Sequence, residues 1–419
     1  MGLTIEKPDA GSIGGILKEA APRVLQRVYR RFGDFTAAED AAQEALLAAA
    51  QQWPREGLPK EPVAWLTRVA VRRSVDAIRS ETAARRRERQ SFQDTEDLVH
   101  RDNEQHEDET LLLLFLCCHP ALSTSSSIVL TLRAVAGLTT SEIARAYFVS
   151  ETTMAQRIRR AKETIRSSGL RFEQPDPKSR ARRLGPVLRV LYLMFNEGYL
   201  ATAGPNLTRD DLAAEAMRLT RLLAAELPRE PEVSGLLALM LLTQARRASR
   251  TDAGELVPID RQNRSLWNRE QIAEGSQLVT EALGRGAPGR YQIEAAIAAL
   301  HDEAASFDVT DWPQILALYE FLWEKTADPM AQLNRVVALA MVRGAAEGLR
   351  ALDAVATDSR IAGSYRADAI RAHLLRLAGN RQAAIHWFRT AARKTISLPE
   401  RNFLILQAAE LSQSPDVEN

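Results

Sequence analysis

The chain has 419 residues, with 55 lysines and arginines against 54 aspartates and glutamates. At about 150 residues per domain, this length suggests about two to four domains with buried cores. An apolar fraction of 45% and a charged fraction of 26% exclude a wholly disordered, collagen-like or disulfide-stapled chain. The net charge of +1 argues against a nucleic-acid-binding protein only if the charges are spread evenly along the chain.

Cysteine usage and hydropathy indicate the compartment. Cys117 and Cys118 are adjacent and cannot form a disulfide framework, which is typical of a reducing environment. The apolar run 111–118 is far shorter than the ~20 residues that span a bilayer, and residues 1–8 lack the basic start and apolar core of a signal peptide. We therefore predict a cytoplasmic protein with no membrane partner.

The charges are segregated within the first 170 residues. Residues 61–90 hold eight arginines and four acidic residues, and residues 133–166 hold seven basic and three acidic residues. Between them, residues 91–110 hold eight acidic residues and one arginine, with little apolar content, which is typical of a mobile linker. We expect two basic modules whose surfaces act locally, because a Debye length of about 8 Å limits the reach of the total charge.

The first module is predicted to be helical. Its first helix covers residues 16–31, and its second helix begins at Thr36 and ends near Trp53. Thr36 and Glu39 have the spacing of a capping box, in which the hydroxyl and the carboxylate satisfy free backbone amides.

The third helix of this module carries a basic stripe. At 100° per residue, Arg68, Arg72 and Arg79 lie within about 40° of one another, and Trp65 lies beside them. Arginines next to an aromatic ring suit phosphates and unstacked bases. A solvated basic helix with a core tryptophan explains the same pattern, and composition does not decide between the two interpretations.

The second module has the pattern of a helix-turn-helix. A short helix with a capping box at Thr139 and Glu142 is followed by a turn and by a longer helix that begins after Ser150. The longer helix has an inward stripe of Met154, Ile158, Ala161 and Ile165. A helical hairpin with no role in DNA binding would show the same stripe. The capped short helix, the short turn and the basic second helix favour DNA binding.

The two modules carry several short motifs in order: Asp40-Ala-Ala-Gln43-Glu44; Trp65-Leu66 through Asp76 and Arg79; and Leu132-Arg133, Gly137-Leu138, Glu142-Ile143-Ala144 and Arg157 through Lys162. With these motifs the two modules together resemble an extracytoplasmic-function sigma factor of the sigma-70 family. Each motif alone is weak, and their order and separation make the match specific over about 160 residues. The chain departs from the family at Arg72, where asparagine is frequent, and in the segment 119–127 that leads into the last helices.

The resemblance implies a partner for each motif. Asp40, Gln43 and Glu44 would bind the core of RNA polymerase, which includes the β and β′ subunits, on the clamp helices of β′. Trp65, Arg68, Arg72 and Arg79 would bind the −10 element of promoter DNA. Glu151, Thr152, Thr153, Gln156, Arg157 and Arg160 would bind the −35 element. The implied domains are sigma region 2 at 10–90, an acidic linker at 91–110 and sigma region 4 at 111–170.

A long helical half follows a predicted break at 171–183, where Pro175 and Pro177 lie among polar residues. Gly379, Ala384, Phe388 and Ala391 have the spacing of a tetratricopeptide unit, and a weaker copy lies about 35 residues earlier at Gly344, Gly348, Leu352 and Val355. We predict an all-α chain that ends in a tetratricopeptide-like domain at 180–415. For residues 180–300, where no period is found, a plain helical bundle is the alternative.

Three further stretches resemble a subgroup of these sigma factors that carries such a fused domain. They are Tyr192 to Tyr199, with Asn196-Glu197-Gly198; Gly254 to Trp267, a non-helical insertion; and Asp308 to Trp312. The subgroup usually has aspartate where Asn263 stands, which puts a role for a carboxylate there in doubt. Packing between helices and helix capping would explain all three stretches. The resemblance implies control through the fused domain, by an intramolecular or protein partner.

Catalysis is not indicated by any motif. The chain has no phosphate-binding glycine loop, no zinc-protease helix motif and no nucleophile elbow, and we predict no enzyme activity, no cofactor and no metal site. Cys117-Cys118-His119 fits a buried helix better than a metal site. His301, beside Asp302 and Glu303, is expected at a solvated helix end rather than in an acid–base cluster.

The combined prediction is a promoter-specificity subunit of bacterial RNA polymerase, regulated by its C-terminal domain. The alternative is a helix-turn-helix regulator or tetratricopeptide adaptor that acts without core polymerase.

Overall fold

The computed structural model describes residues 10–86, 108–147, 149–168, 177–199, 210–252, 255–286 and 288–413. Most of the acidic linker, from residue 91 to residue 107, lies outside the described residues. The described chain divides into two compact units, residues 1–190 and residues 191–419. It is almost entirely helical, as the sequence predicts. No helix among the described residues has both the length and the apolar character needed to cross a membrane.

The first unit is built from short and medium helices. They are α1 (Ala10–Phe32), α2 (Phe35–Glu56), α3 (Pro62–Arg86), α4 (Asp108–Cys117), α5 (Thr124–Leu130), a π-helical turn (Thr131–Val135), α6 (Thr140–Ala146) and α7 (Glu151–Ser167). Helix α8 (Pro177–Tyr199) runs from this unit into the second. It begins within the segment predicted as a break, because proline is well accepted in the first turn of a helix.

The start of α2 differs from the prediction. Asp34, not Thr36, is the N-cap, and its carboxylate accepts a hydrogen bond from the Ala37 amide at 3.0 Å. The predicted capping box at Thr36 is therefore wrong, because Glu39 is buried and binds cations from elsewhere in the unit. The box at Thr139 is confirmed. The Thr139 amide donates to the Glu142 carboxylate at 2.7 Å, and the Glu142 amide donates to the Thr139 hydroxyl at 3.1 Å.

The second unit is a succession of helices with one small irregular region. Its helices after α8 are α9 (Asp210–Glu226), α10 (Pro231–Ala245), α11 (Arg269–Leu283), α12 (Arg290–Glu303), α13 (Trp312–Thr326), α14 (Pro329–Arg343), α15 (Ala345–Val355), α16 (Tyr365–Leu377), α17 (Arg381–Lys394) and α18 (Leu398–Gln413). Between α10 and α11 lies an antiparallel pair, β1 (Thr251–Asp252) and β2 (Glu255–Leu256), followed by two 3₁₀ turns. The predicted non-helical insertion is confirmed there.

The helix pair α16 and α17 has the predicted tetratricopeptide-like spacing. Gly379 occupies the turn between the two helices with a φ of 76°, a conformation that favours glycine. Ala384, Phe388 and Ala391 are all buried on the inner face of α17. Burial of these side chains against neighbouring helices stabilises the pair, because each helix alone leaves its apolar face in water.

Candidate functional site

One face of α2 carries the residues predicted to bind core polymerase. Asp40 and Glu44 are exposed and Gln43 is half-buried. Leu47 lies one turn beyond Glu44 and is 60% exposed, which places an apolar side chain beside the acidic ones. Glu44 pairs with Arg73 of α3 at 3.5 Å. Since both side chains are mostly exposed, this pair adds little stability and leaves the carboxylate accessible.

Next to this face, a buried carboxylate joins the two predicted sigma modules. Glu39 of α2 is 1% exposed. Its carboxylate accepts a hydrogen bond from the Arg133 guanidinium at 2.8 Å, and it also contacts the Lys162 ammonium. Arg133 belongs to the π-helical turn and Lys162 to α7. A buried carboxylate needs such partners, because its desolvation is otherwise costly.

Lys162 also reaches the predicted core-binding face. Its ammonium donates a hydrogen bond to the Asp40 carboxylate at 2.6 Å. The Lys162 side chain is 8% exposed and that of Asp40 is 64% exposed. One ammonium therefore ties the exposed acid of α2 to the helix that is predicted to read the −35 element.

A cavity beside these ion pairs brings two sets of predicted site residues together. It has a volume of about 440 Å³ and is lined by Gln43 and Glu44 from α2, by the capping box of α6, and by Glu151 at the start of α7. Part of the predicted core-binding face thus lies across this cavity from the predicted DNA-binding helix-turn-helix.

The predicted −10 residues lie apart from that cavity, on α3. Arg68, Arg72 and Arg79 are exposed, and Arg79 makes a contact of its own. Trp65 is half-buried and packs edge-on against the buried Trp53 of α2, with 5.6 Å between ring centroids. One helix therefore carries both the exposed basic stripe and a tryptophan that packs into the core. Part of the Trp65 side chain is occupied by this packing.

The helix-turn-helix has the predicted local structure. The Ser150 hydroxyl caps α7 by accepting a hydrogen bond from the Thr153 amide at 3.1 Å. The inward stripe is buried, as predicted, at Met154, Ile158, Ala161 and Ile165. All six predicted −35 residues are exposed on the other sides of α7: Glu151, Thr152, Thr153, Gln156, Arg157 and Arg160. The arrangement leaves the N-terminus of α7 and two arginines accessible, as is typical of a helix that binds DNA.

The three signature stretches of the second unit have different roles. Asn263 accepts a hydrogen bond from the Ser265 amide, and Asp311 caps α13 by accepting one from the Gln314 amide, both at 3.0 Å. These two stretches serve capping, as the packing interpretation expects. Gly198 belongs to the stretch that ends α8, where an added Cβ would lie 2.3 Å from the Ala213 backbone nitrogen. Its neighbours Asn196, Glu197 and Tyr199 line a cavity.

The prediction of a solvated helix end around His301 is wrong. Asp302 is 1% exposed and faces the Arg246 guanidinium at 3.4 Å. Burial raises the pKa of Asp302 to about 7, and burial, with Arg246 and Arg264 nearby, lowers the pKa of His301 to about 4. The end of α12 is buried because the irregular segment after β2 packs onto it: Arg264 donates to the His301 and Ala304 carbonyls at 2.8 Å.

Both cysteines are buried free thiols. Burial raises the pKa of Cys117, with a further contribution from Cys118, and raises the pKa of Cys118 to about 12. The thiols therefore stay protonated and poorly reactive at neutral pH. Within the described ranges, no cluster of three histidine, cysteine or acidic side chains is arranged to hold a metal ion.

Sequence reasoning did not identify Glu39, Arg133 and Lys162 as a joint feature. Arg133 and Lys162 lie in motifs that the sequence indicated, but Glu39 was attributed to a helix cap. The available signal was the position of Glu39 in the apolar spacing of α2, which places its side chain toward the core. A glutamate that is buried there requires a cationic partner.

The chain matches three known families. Residues 16–84 match the family described as Sigma-70 region 2, residues 112–165 match Sigma-70, region 4, and residues 183–283 match a family of unknown function, DUF6596. An uncharacterized protein of Rhizobium meliloti (strain 1021) is 39% identical over 414 residues, which cover 97% of each chain. The chain belongs to the sigma-70 family as a sigma factor of the extracytoplasmic-function type with a fused C-terminal domain.

Proposed function

We propose that this RNA polymerase sigma factor binds the β′ subunit of core polymerase through α2 and promoter DNA through α3 and α7. The observation that carries the proposal is the order of two sigma regions on one chain, with the charged residues of their motifs exposed on α2, α3 and α7. In this proposal residues 10–90 hold the core and −10 functions, residues 111–170 hold the −35 function, and the chain itself performs no chemistry.

Asp40, Gln43 and Glu44 are the proposed contacts with core. The exposed acids and Leu47 offer both charge and apolar area to a partner helix. Arg68, Arg72 and Arg79 are the proposed −10 contacts, with Trp65 packed beside them. The proposed −35 contacts are Glu151, Thr152, Thr153, Gln156, Arg157 and Arg160. Among them, Gln156 and Arg157 suit base edges and Arg160 suits phosphate.

Core binding and the contact between α2 and α7 compete in this proposal. The Asp40 carboxylate cannot keep its ion pair with Lys162 and also bind a polymerase helix fully. The cavity beside Glu44 leaves limited room for a partner. Association with core therefore involves separation of α7 from α2, which frees both helices for their partners. The fused C-terminal domain, residues 180–415, is proposed to regulate this step by binding a partner of its own.

The test is affinity for purified core polymerase. Glu44→Ala is expected to weaken binding of the full chain by about tenfold, because it removes a charge at the proposed interface. Asp40→Ala is also expected to weaken it, although it releases Lys162 as well. Glu56→Ala, an exposed acid at the end of the same helix, is the matched control and should leave the affinity unchanged. Unaltered affinity for Glu44→Ala, or no binding to core at all, would contradict the proposal.

A further inference from the structure

A cavity within the second unit has the features of a small-molecule site. Its volume is about 590 Å³, within the range of sites that enclose small organic ligands. Five segments contribute to it: the end of α8, the end of α10, the turn before β1, the start of α16, and the loop after α17 with the first turn of α18. Side chains that are distant in sequence thus converge on one space.

Two arginines face this cavity without a carboxylate partner. Arg250 is half-buried, and its guanidinium lies 4.0 Å from the Tyr199 ring centroid. Arg366 lies at the exposed rim, where it donates a hydrogen bond to the Tyr365 hydroxyl at 3.1 Å. In the described part of the chain, neither guanidinium has a carboxylate oxygen within 4 Å. Burial lowers the pKa of Arg250 from its usual value, which reflects a cation that lacks full solvation.

The two acidic side chains in the lining, Glu197 and Glu400, form no direct ion pair with these arginines. Glu400 accepts a hydrogen bond from the Thr395 hydroxyl at 3.2 Å and lies near both arginines. Glu197 is engaged in a contact of its own. The two arginines and two glutamates of the lining balance in formal charge. Because neither guanidinium has a carboxylate oxygen of the described chain within 4 Å, both can pair with a ligand that brings a carboxylate of its own.

Two further features point to a ligand. Ser397 is 4% exposed, lines the cavity, and its hydroxyl has no hydrogen-bond partner among the described residues. A buried hydroxyl normally has one. Ile396, next to it, is 71% exposed at the cavity mouth, and with Leu193 and Tyr192 it supplies apolar contact area. The backbone of Arg250 is fixed, since its carbonyl accepts a hydrogen bond from the Val257 amide at 2.7 Å.

We infer that this cavity binds a small aromatic carboxylic acid, with its carboxylate on Arg250 and Arg366 and its ring against Tyr192, Leu193 and Ile396. The hydroxyl of Ser397 donates to the bound ligand. The inference goes beyond the proposed function, and it does not depend on core or promoter binding. It supplies the fused domain with a chemical class of ligand.

The test is isothermal titration calorimetry on the full chain. The probes are benzoate, phenylacetate and indole-3-acetate, each compared with its uncharged amide, together with benzylamine as a cationic probe. We expect at least one acid to bind and its amide to bind about tenfold more weakly, because the amide lacks the charge that pairs with arginine. Arg250→Gln and Arg366→Gln should each lower the affinity for that acid about tenfold, and Arg250→Lys should lower it less.

Two controls keep the test independent of folding. Arg229→Gln makes the same change at an exposed arginine outside the cavity and should bind the acid as the native chain does. Arg366 is exposed, so its substitution leaves the fold intact, and thermal unfolding checks this for each variant. Absence of binding by all three acids, equal binding of acids and amides, preference for benzylamine, or native affinity in both arginine variants would each overturn the inference.

Discussion

Lys162, in the helix α7 that is proposed to read the −35 element, donates a hydrogen bond to Asp40 of α2 across 2.6 Å. The same ammonium contacts Glu39, which the Arg133 guanidinium also binds. The charge cluster connects α2 and α7, the two helices for which we propose different partners. Because most of it is removed from water, we expect it to contribute to stability and to restrain both helices.

Zero-length cross-linking tests this contact directly. A carbodiimide should join Lys162 to Asp40 or Glu39 in the free chain, because the ammonium touches both carboxylates. Addition of core polymerase should lower the yield of this product, since the proposed interface includes Asp40. Peptide mass spectrometry measures the product, with Lys162→Arg as the control that removes the reactive amine and keeps the charge. A yield that core polymerase leaves unchanged would contradict the competition.

Loss of the ammonium should also destabilise the first unit. Lys162→Met leaves Glu39 buried with Arg133 alone, and we expect the free energy of unfolding to fall by about 3 kcal/mol. Glu39→Gln in the same chain should recover part of this loss, because the carboxylate that needs the partner is then absent. Urea unfolding measures both. Arg159→Met, at an exposed neighbour on α7, should change stability by less than about 0.5 kcal/mol. Additive losses for the two buried substitutions would argue against a coupled pair.

Salt dependence distinguishes phosphate from base contacts on α7. Arg160→Ala should weaken promoter binding by the polymerase holoenzyme on all sequences, and should lower the slope of log affinity against log salt concentration by about one. Arg157→Ala should in addition reduce discrimination among −35 sequences. Filter binding over a salt series measures both effects. Arg229→Ala, the same charge change in the second unit, should leave the slope as in the native chain. An unchanged slope for Arg160→Ala would exclude its phosphate role.

His301 gives the second unit a pH dependence of known sign. Its pKa is lowered to about 4 from an unfolded value of about 6.5. Its contribution to stability is therefore present above pH ~6.5 and is lost as the pH falls toward ~4. Asp302, whose pKa is raised to about 7, changes stability in the opposite direction over this range. The difference in unfolding free energy between His301→Gln and the native chain therefore isolates the contribution of the histidine.

Between about pH 7.5 and about pH 5, the native chain should lose about 2 kcal/mol of unfolding free energy relative to His301→Gln. Chemical denaturation at each pH measures the difference. A constant difference across this range would show that His301 titrates normally and would contradict its burial beside Arg246 and Arg264.

Local patterns account for the features that the sequence predicted. The stripe of α7, the Ser150 cap and the Thr139 capping box each depend on residues within a few positions of one another, so spacing alone identifies them. The turn glycine between α16 and α17 is also identified from local sequence, because a positive φ favours glycine whatever surrounds it.

Features that depend on distant residues were missed. Glu39 has the right spacing from Thr36 for a capping box, yet it is bound by Arg133, 94 positions away. Asp302 follows the pattern of a helix end, yet the irregular segment near Arg264 buries it. In both cases tertiary packing decides the environment of a charged group, and no local rule contains that information.

Reconstituted transcription tests the central claim most directly. Core polymerase from the source organism, the full chain and a library of genomic promoter fragments are combined, and run-off transcripts are sequenced. The account predicts initiation at defined sites that requires the chain, is reduced by Glu44→Ala and by Arg157→Ala, and is preserved in Glu56→Ala. Transcription that is absent or independent of the chain across the library would contradict its role as a sigma factor.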